Sequence, residues 1–147
     1  MTIVITKGNK GAGVWCDRRS PLGNPFHLAS ESERDAVCDA YQKYFAVMLQ
    51  GNLPIYNSVR TLANAYQVGV SLSWKQPDRS DFLAALDRLS AMLKSEGTVT
   101  LKCWCIDATI EAQTDLVRKK RCHCLSIAAY LLPTTETFNE QLQLEMK

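Results

Sequence analysis

The sequence predicts a single α/β domain, residues 1–147, in which helices flank a small, partly parallel sheet. Strand-like and helix-like segments alternate along the 147 residues, and this alternation favours parallel strands joined by helices. A chain of this length fits one domain and can bury a core of its own. The composition, 46% hydrophobic and 22% charged, is typical of a folded globular protein and not of a disordered one.

The first half of the chain predicts one strand, one long loop and one helix. Residues 2–6 form an apolar, β-branched run that is typical of a strand. Residues 14–29 contain two prolines and Gly23, which exclude a continuous helix. From Ser30 onwards, apolar residues recur at helical spacing until Gly51 ends the helix.

The second half begins with a less regular stretch. Residues 53–77 allow a short helix and an alternating, half-buried strand over 68–74. Pro77 opens a clear helix that ends at Gly97. A strand of alternating apolar residues then covers residues 99–105.

The last part of the chain predicts a polar inserted connection over residues 106–121, an apolar helix over 122–132 and a polar tail over 134–147. In α/β sheets, ligands gather at the carboxyl ends of the strands. The loop after the first strand, the end of the strand at 99–105 and the start of the last helix are therefore expected to meet.

Charge and hydropathy exclude some functions. The net charge of +2 is too small to predict nucleic-acid binding by itself. No apolar run approaches the roughly 18 residues that span a bilayer, and the N-terminus lacks the features of a signal peptide. We therefore expect a cytoplasmic protein without membrane association, in which the six cysteines stay reduced.

Two cysteine motifs are the strongest functional feature. In Cys103-Trp104-Cys105, strand geometry places both sulfurs on one face, with Cα atoms roughly 6–7 Å apart. Cys122 opens the last helix, where the helix dipole favours a thiolate. Residues two apart on a helix point to opposite sides, so we expect Cys103, Cys105 and Cys122 as ligands. The fourth contact is then Cys124, His123 or none.

These cysteines allow several kinds of site. Four ligands closed around zinc would make a structural site, whereas three cysteines on an iron–sulfur cluster would leave one iron open for chemistry. Metal-free reactive thiols and cysteines that simply fill the core also fit the two motifs. The spacing C-x-C is less common in zinc sites than C-x2–4-C.

A basic loop follows the first strand. Arginine binds phosphate or carboxylate through two parallel hydrogen bonds, small polar side chains add hydrogen bonds, and an aromatic ring can stack on a base. We expect a nucleotide or another anionic ligand here, with a solvated surface loop as the alternative. The predicted ligand-binding residues are Arg18, Arg19, Ser20, Gly23, Asn24, Phe26 and Trp104.

The loop and the two cysteine motifs together resemble an uncharacterised bacterial and phage family, domain of unknown function 4326. The resemblance extends from the first strand to the last helix and is carried by Arg18 or Arg19, Gly23, Asn24, Pro25, Phe26, Cys103, Trp104, Cys105, Cys122 and His123. The chain departs from the family in the 16 residues between the two cysteine motifs and in Cys124, where a glycine is common. The resemblance implies that loop and cysteines form one site, and it implies no reaction.

Three functions fit this sequence. The first is an enzyme-like metal or iron–sulfur site that faces a nucleotide or nucleic-acid-derived ligand. The second is a non-catalytic module with structural zinc or metal-free cysteines that sequesters such a ligand. The third, suggested by the phage context of the family, is a module that binds a host protein in the host cytoplasm.

Overall fold

In the computed structural model, residues 2–8, 11–51, 55–104, 110–111 and 122–132 are described. The elements in chain order are β1 (Thr2–Lys7), β2 (Val14–Trp15), β3 (Phe26–His27), a 3-10 turn (Glu31–Glu33), α1 (Arg34–Gln50), α2 (Ile55–Tyr66), β4 (Gly69–Val70), α3 (Arg79–Glu96), β5 (Thr98–Cys103), β6 (Ile110–Glu111) and α4 (Cys124–Leu131). The alternation of strands and helices agrees with the predicted α/β class.

The main sheet of the described residues has the strand order β2-β5-β1-β6. Strands β1 and β5 are parallel along their whole length, from the pair Thr2 and Thr98 to the pair Lys7 and Cys103. Strand β2 also runs parallel to β5, whereas β6 is antiparallel to β1. The predicted partly parallel sheet is therefore confirmed, and its parallel strands end at one edge.

Strands β3 and β4 form a separate two-stranded antiparallel sheet. The strand predicted over residues 68–74 is wrong in length, because only Gly69–Val70 pairs with a neighbour. Its apolar alternation continues into Leu72, which is fully exposed. Periodicity alone predicts a longer strand than the available pairing partner can support.

The helices follow the apolar periodicity, with shifted starts. The helix predicted from Ser30 enters through the 3-10 turn and becomes α-helical at Arg34. The last helix begins at Cys124, two residues later than predicted. Residues 105–109, 112–121 and 133–147 lie outside the described residues, and with them Cys105, most of the predicted connection and the predicted polar tail.

The core lies where α1 and α3 cover the sheet. Strands β1 and β5 lie side by side, and their alternating apolar residues are buried in this core. Helix α1 adds an aromatic cluster, in which Phe45 packs edge-on against Phe82 of α3 with ring centroids 5.4 Å apart. The largest fully buried side chains are Tyr41, Tyr44, Phe26, Phe45, Phe82, Ile3, Ile5, Leu22, Met48, Leu86, Leu89 and Leu93.

Candidate metal centre and adjoining pocket

The carboxyl ends of the parallel strands meet at one edge of the sheet. The Gly8 amide donates to the Cys103 carbonyl at 2.8 Å, and the Cys16 amide donates to the Lys102 carbonyl at 2.8 Å. These bonds place the residues that follow β1 and β2 beside the end of β5. The start of α4 reaches the same edge, so the three features expected to meet do so.

Three buried cysteines form a thiol cluster at this edge. The Sγ atoms of Cys103, Cys122 and Cys124 all lie within 4.8 Å of one another. The sulfurs of Cys103 and Cys122 are 3.2 Å apart and share a hydrogen bond. All three are free thiols with almost no exposed surface. Soft sulfur donors at this separation can bind a metal ion.

Both cysteines of the second motif belong to the thiol cluster, although helix geometry predicts at most one. The reason is that α4 begins at Cys124, with His123 at its N-cap. Cys122 therefore precedes the helix, and its side chain is free of the helical period. The Cys124 amide donates to the Cys122 sulfur at 3.4 Å, which satisfies one of the N–H groups that a helix start leaves unpaired.

The environment of the thiol cluster favours the neutral form of the Cys124 thiol. The pKa of the Cys124 thiol is raised well above its usual value, first by its hydrogen bond with Cys103. Hydrogen bonds with Cys122 and Cys16 and the cost of burying a charge act in the same direction. A cation that binds here must therefore displace protons.

His123 lies behind the thiol cluster. Its Nε2 atom is 2.6 Å from the Cys16 carbonyl oxygen and 3.9 Å from the Cys124 sulfur. A carbonyl oxygen can only accept, so Nε2 carries the proton and donates. The ring is buried and meets the edge of Tyr41 at a centroid distance of 4.9 Å. In this arrangement Nε2 orients its neighbours and does not offer a lone pair to the cluster.

Cys16 is the cysteine that sequence reasoning missed. It is fully buried directly after β2 and lies close enough to the Cys124 thiol to help raise the pKa of that group. The sequence places it in a long irregular loop because β2 has only two residues. In the sequence, Val14 and Cys16 flank Trp15 as alternating residues of a strand would. This short alternation is the one sequence feature that could have indicated a strand ending near Cys16.

A cavity of about 250 Å³ adjoins the thiol cluster across His123. We call it the basic pocket, because two arginines, Arg18 and Arg34, contribute to its wall. The residues that line it are Asp17, Arg18, Asn24, Phe26, His27, Leu28, Arg34, Val37, Cys38, Trp104 and His123. Four residues predicted to bind a ligand are among them, namely Arg18, Asn24, Phe26 and Trp104.

The other predicted loop residues shape the turn instead of lining the pocket. The Ser20 hydroxyl accepts a hydrogen bond from the Leu22 amide at 3.0 Å. A Cβ atom at Gly23 would lie 2.5 Å from the Asp17 carbonyl oxygen, so a larger residue does not fit there. Asn24 also serves the turn, because its Oδ1 accepts from the Phe26 amide at 2.9 Å.

Arg19 lies on an aromatic platform at the rim. Its guanidinium stacks over the Trp15 ring at 3.7 Å, and its Nε donates to Asp17 at 3.1 Å. Trp104 stacks on Trp15 at 5.6 Å and donates its Nε1–H to the same carboxylate at 3.0 Å. Trp104 is 50% exposed, so one side of its ring is open to a ligand.

Arg34 is a pocket residue that the sequence does not single out. Its guanidinium is nearly buried and forms two parallel hydrogen bonds of 2.8 Å with Glu31. An arginine in the first turn of an amphipathic helix ordinarily faces solvent. The Arg34 guanidinium is held by Glu31 in the wall of the pocket that Phe26 also lines, and periodicity does not encode that contact.

The fold and the thiol cluster define a small α/β protein with buried cysteines placed to hold a metal ion. The family model for domain of unknown function DUF4326 matches residues 5–132, and the chain belongs to that family, as the resemblance implied. No curated protein and no solved structure matches the chain. Within the described residues, no helix combines the length and the apolar character needed to cross a membrane.

Proposed function

We propose that this protein binds one metal ion at Cys103, Cys122 and Cys124 and holds a small anionic ligand, of the nucleotide type, in the adjoining basic pocket. The observation that carries the proposal is the close approach of three buried sulfurs, all within 4.8 Å of one another. Three sulfurs that converge from a strand end and a helix start can be ligands of one ion, because soft sulfur donors at this separation bind metals such as zinc.

The spacing of the sulfurs favours a single ion over an iron–sulfur cluster. Sulfurs bound at about 2.3 Å to one tetrahedral zinc ion lie about 3.8 Å apart, and the thiol cluster has sulfurs at 3.2 Å and within 4.8 Å. Cysteines that bind different irons of a cluster are held further apart. Zinc fits the site with small side-chain adjustments.

Burial supports a structural and not a catalytic role for the ion. Catalytic zinc keeps one position open for water or substrate, whereas structural sites are closed by protein ligands. Cys103 and Cys124 are completely buried and Cys122 is 2% exposed, which leaves no path for a substrate to the sulfurs. We therefore expect the small anionic ligand to bind in the basic pocket, on the other side of His123.

The basic pocket has the features of a site for a small anion. Arg18 supplies a guanidinium that donates to the Phe26 carbonyl at 3.3 Å and borders the cavity. Arg34 adds a second guanidinium, which is also paired with Glu31, and the half-exposed ring of Trp104 is one on which a base can stack. The volume of about 250 Å³ lies just below the roughly 300–1,000 Å³ of typical small-molecule sites, so a mononucleotide or a smaller anion fits better than a dinucleotide.

Metal content and an anaerobic absorption spectrum test the metal site. We expect about one zinc ion per chain and a colourless protein. Cys103→Ser and Cys122→Ser should lose the ion, whereas Cys38→Ser, which removes a buried cysteine of α1, should keep it. Protein that purifies without metal, binds no added zinc and shows freely titrating thiols would contradict the proposal.

Calorimetry tests the basic pocket. The titrants are inorganic phosphate and a panel of ribo- and deoxyribonucleoside monophosphates, added to the metal-loaded protein. Arg18→Gln should weaken binding at least about tenfold, because a charge-assisted contact contributes roughly 1.5–3 kcal/mol. Arg88→Gln, on the exposed face of α3, is the matched control. Equal affinity in both variants would place the ligand elsewhere.

A further inference from the structure

We infer that Cys16 is the fourth ligand of the metal, so that Cys16, Cys103, Cys122 and Cys124 form a closed tetrathiolate site. This inference rests on the proposed metal site and deepens it. It gives the ion a complete ligand set from residues of the described chain. It also assigns a role to a cysteine that lies outside both cysteine motifs.

The register of the sheet places Cys16 beside Cys103. Strands β2 and β5 are parallel, with Trp15 opposite Lys102, and the Cys16 amide continues the ladder by donating to the Lys102 carbonyl at 2.8 Å. The next residue on each strand is a cysteine. Neighbouring residues in register on parallel strands lie about 4.8 Å apart and point to the same face, so the two sulfurs share one side of the sheet.

The side chain of Cys16 also lies near the second cysteine motif. It is fully buried and close enough to the Cys124 thiol to contribute to the raised pKa of that group. The Cys16 sulfur makes a weak contact with the Val14 carbonyl at 3.7 Å. The Cys16 sulfur lies outside the three sulfurs that are within 4.8 Å of one another, so its side chain must rotate to reach the ion, and the contact that this rotation breaks is weak.

The backbone of Cys16 is anchored on both sides. Its N–H is bonded to β5, and its carbonyl accepts the Nε2–H of His123 at 2.6 Å. His123 stands between Cys122 and Cys124 in the chain, so the same residue that joins the two ligands also fixes the fourth. Hydrogen bonds of this kind, made behind the ligands, orient them for metal binding.

Two cysteines remain, one of which lies elsewhere in the fold and one outside the described residues. Cys38 lies on α1 and lines the basic pocket. Cys105, the partner that strand alternation predicts for Cys103, lies outside the described residues. The experiment must therefore compare Cys16 with Cys105 directly.

A tetrathiolate site would link the metal to the ligand pocket. When Zn²⁺ binds four thiols, four S–H bonds are exchanged for four Zn–S bonds and four protons leave to solvent. Asp17 and Arg18 directly follow Cys16, and both line the basic pocket. The ion would therefore hold the first residues of the pocket wall in place against β5 and α4.

Cobalt substitution counts the thiolate ligands. Co²⁺ is titrated into metal-free wild-type protein and the variants Cys16→Ser, Cys105→Ser and Cys38→Ser, and the sulfur-to-cobalt charge-transfer band is measured. We expect Cys16→Ser to lose about a quarter of the band intensity, one thiolate of four, and to bind zinc at least about tenfold more weakly. Cys105→Ser and Cys38→Ser should match the wild type.

The outcomes distinguish the role of Cys16 as fourth ligand from the existence of the metal site itself. If Cys105→Ser loses the intensity and Cys16→Ser does not, Cys105 is the fourth ligand and the inference is wrong, while the metal site stands. If the wild type binds neither cobalt nor zinc, both fail together.

A measurement on the wild-type protein covers the case in which Cys16→Ser does not fold. Pulsed alkylation followed by mass spectrometry should show Cys16, Cys103, Cys122 and Cys124 protected by zinc and labelled together after chelation. Labelling of Cys16 at the same rate with and without zinc, while the other three are protected, would overturn the inference.

Discussion

The hydroxyl of Tyr44 is an unpaired polar group in the core. Among the described residues, it is the buried side-chain polar atom for which no hydrogen-bond partner is present. The ring itself is well packed, edge-on against Phe26, Trp74 and Phe82. A buried donor without a partner costs roughly 1–3 kcal/mol, so the packing of the ring must outweigh that cost.

Tyr44→Phe should therefore leave the free energy of unfolding at neutral pH unchanged or raise it by about 1 kcal/mol, because the substitution removes only the unpaired hydroxyl. Tyr41→Phe is the matched comparison. The Tyr41 hydroxyl donates to the Leu22 carbonyl at 2.7 Å, and its loss should destabilise the protein by about 1 kcal/mol. Urea unfolding of both variants measures the difference. A large loss in Tyr44→Phe would show that its hydroxyl has a partner.

The two buried tyrosines also predict a loss of stability at alkaline pH. Burial raises the pKa of Tyr44 above its usual value, and burial followed by the neighbouring Tyr44 and cysteine thiols raises the pKa of Tyr41. An unfolded tyrosine ionises near pH 10, so above that pH the unfolded chain releases protons that the folded chain retains. Stability is then fully present below about pH 10 and falls as the pH rises further.

Denaturant unfolding between pH 8 and 11 measures this slope. We expect Tyr44→Phe to lose stability less steeply with pH than the wild type above about pH 10. Tyr130→Phe, which removes a partly exposed tyrosine, should retain the wild-type slope. Identical slopes for all three proteins would assign the alkaline loss to other groups.

At the scale of elements, the end of α1 is held by an arginine from α3. Arg79 donates from Nε to the Met48 carbonyl at 2.8 Å and from Nη2 to the Leu49 carbonyl at 2.5 Å. These carbonyls belong to the last turn, which a helix leaves unpaired. Gly51 ends the helix with a φ of 68°, and a Cβ atom there would lie 2.7 Å from the Arg79 Nε. The glycine thus provides the space for the arginine.

Arg79→Met should lower the free energy of unfolding by about 1–3 kcal/mol, because it keeps the aliphatic stem but leaves two carbonyls without charged donors. Amide hydrogen exchange should accelerate first in the last turn of α1. Arg88→Met, on the exposed face of α3, should change the stability by less than about 0.5 kcal/mol. Equal effects of the two substitutions would refute the capping role.

At the scale of the whole molecule, the proposed metal joins parts of the chain that are distant in sequence. Cys103 ends β5, Cys124 starts α4, and Cys122 directly precedes that helix. Helix α4 also packs against α1 and α3, so its contacts with the core do not depend on the ion alone. We therefore expect metal removal to loosen one edge of the fold without unfolding it entirely.

Hydrogen exchange with and without a strong zinc chelator tests this expectation. Amides at the start of α4 and at the end of β5 should lose protection when the metal is removed, whereas the middle of α3 should not. The melting temperature should fall, and added zinc should restore it. Uniform loss of protection through α3 would instead mean that the ion is needed for the whole fold.

Long apolar patterns predicted the main helices and strands, whereas the two-residue strands could not be predicted from such patterns. Sustained apolar periodicity predicts strands β1 and β5 and helices α1 and α3. Each of them buries a long face, so its apolar residues recur at a regular spacing in the sequence. Strands β2, β3, β4 and β6 have two residues each. At that length, a strand is defined by its hydrogen-bonded neighbour and not by its own residues.

The sequence by itself determined that cysteines from two motifs and a basic loop would meet at the carboxyl ends of parallel strands. That prediction needs only the alternation of side chains along β5 and the rule that ligands in α/β sheets bind at the carboxyl ends of the strands. Only the tertiary structure decided which cysteines meet. Cys124 joins the thiol cluster because α4 starts two residues later than periodicity predicts. Cys16 lies beside Cys103 because β2 pairs with β5 in one particular register, and register depends on contacts between segments far apart in the chain.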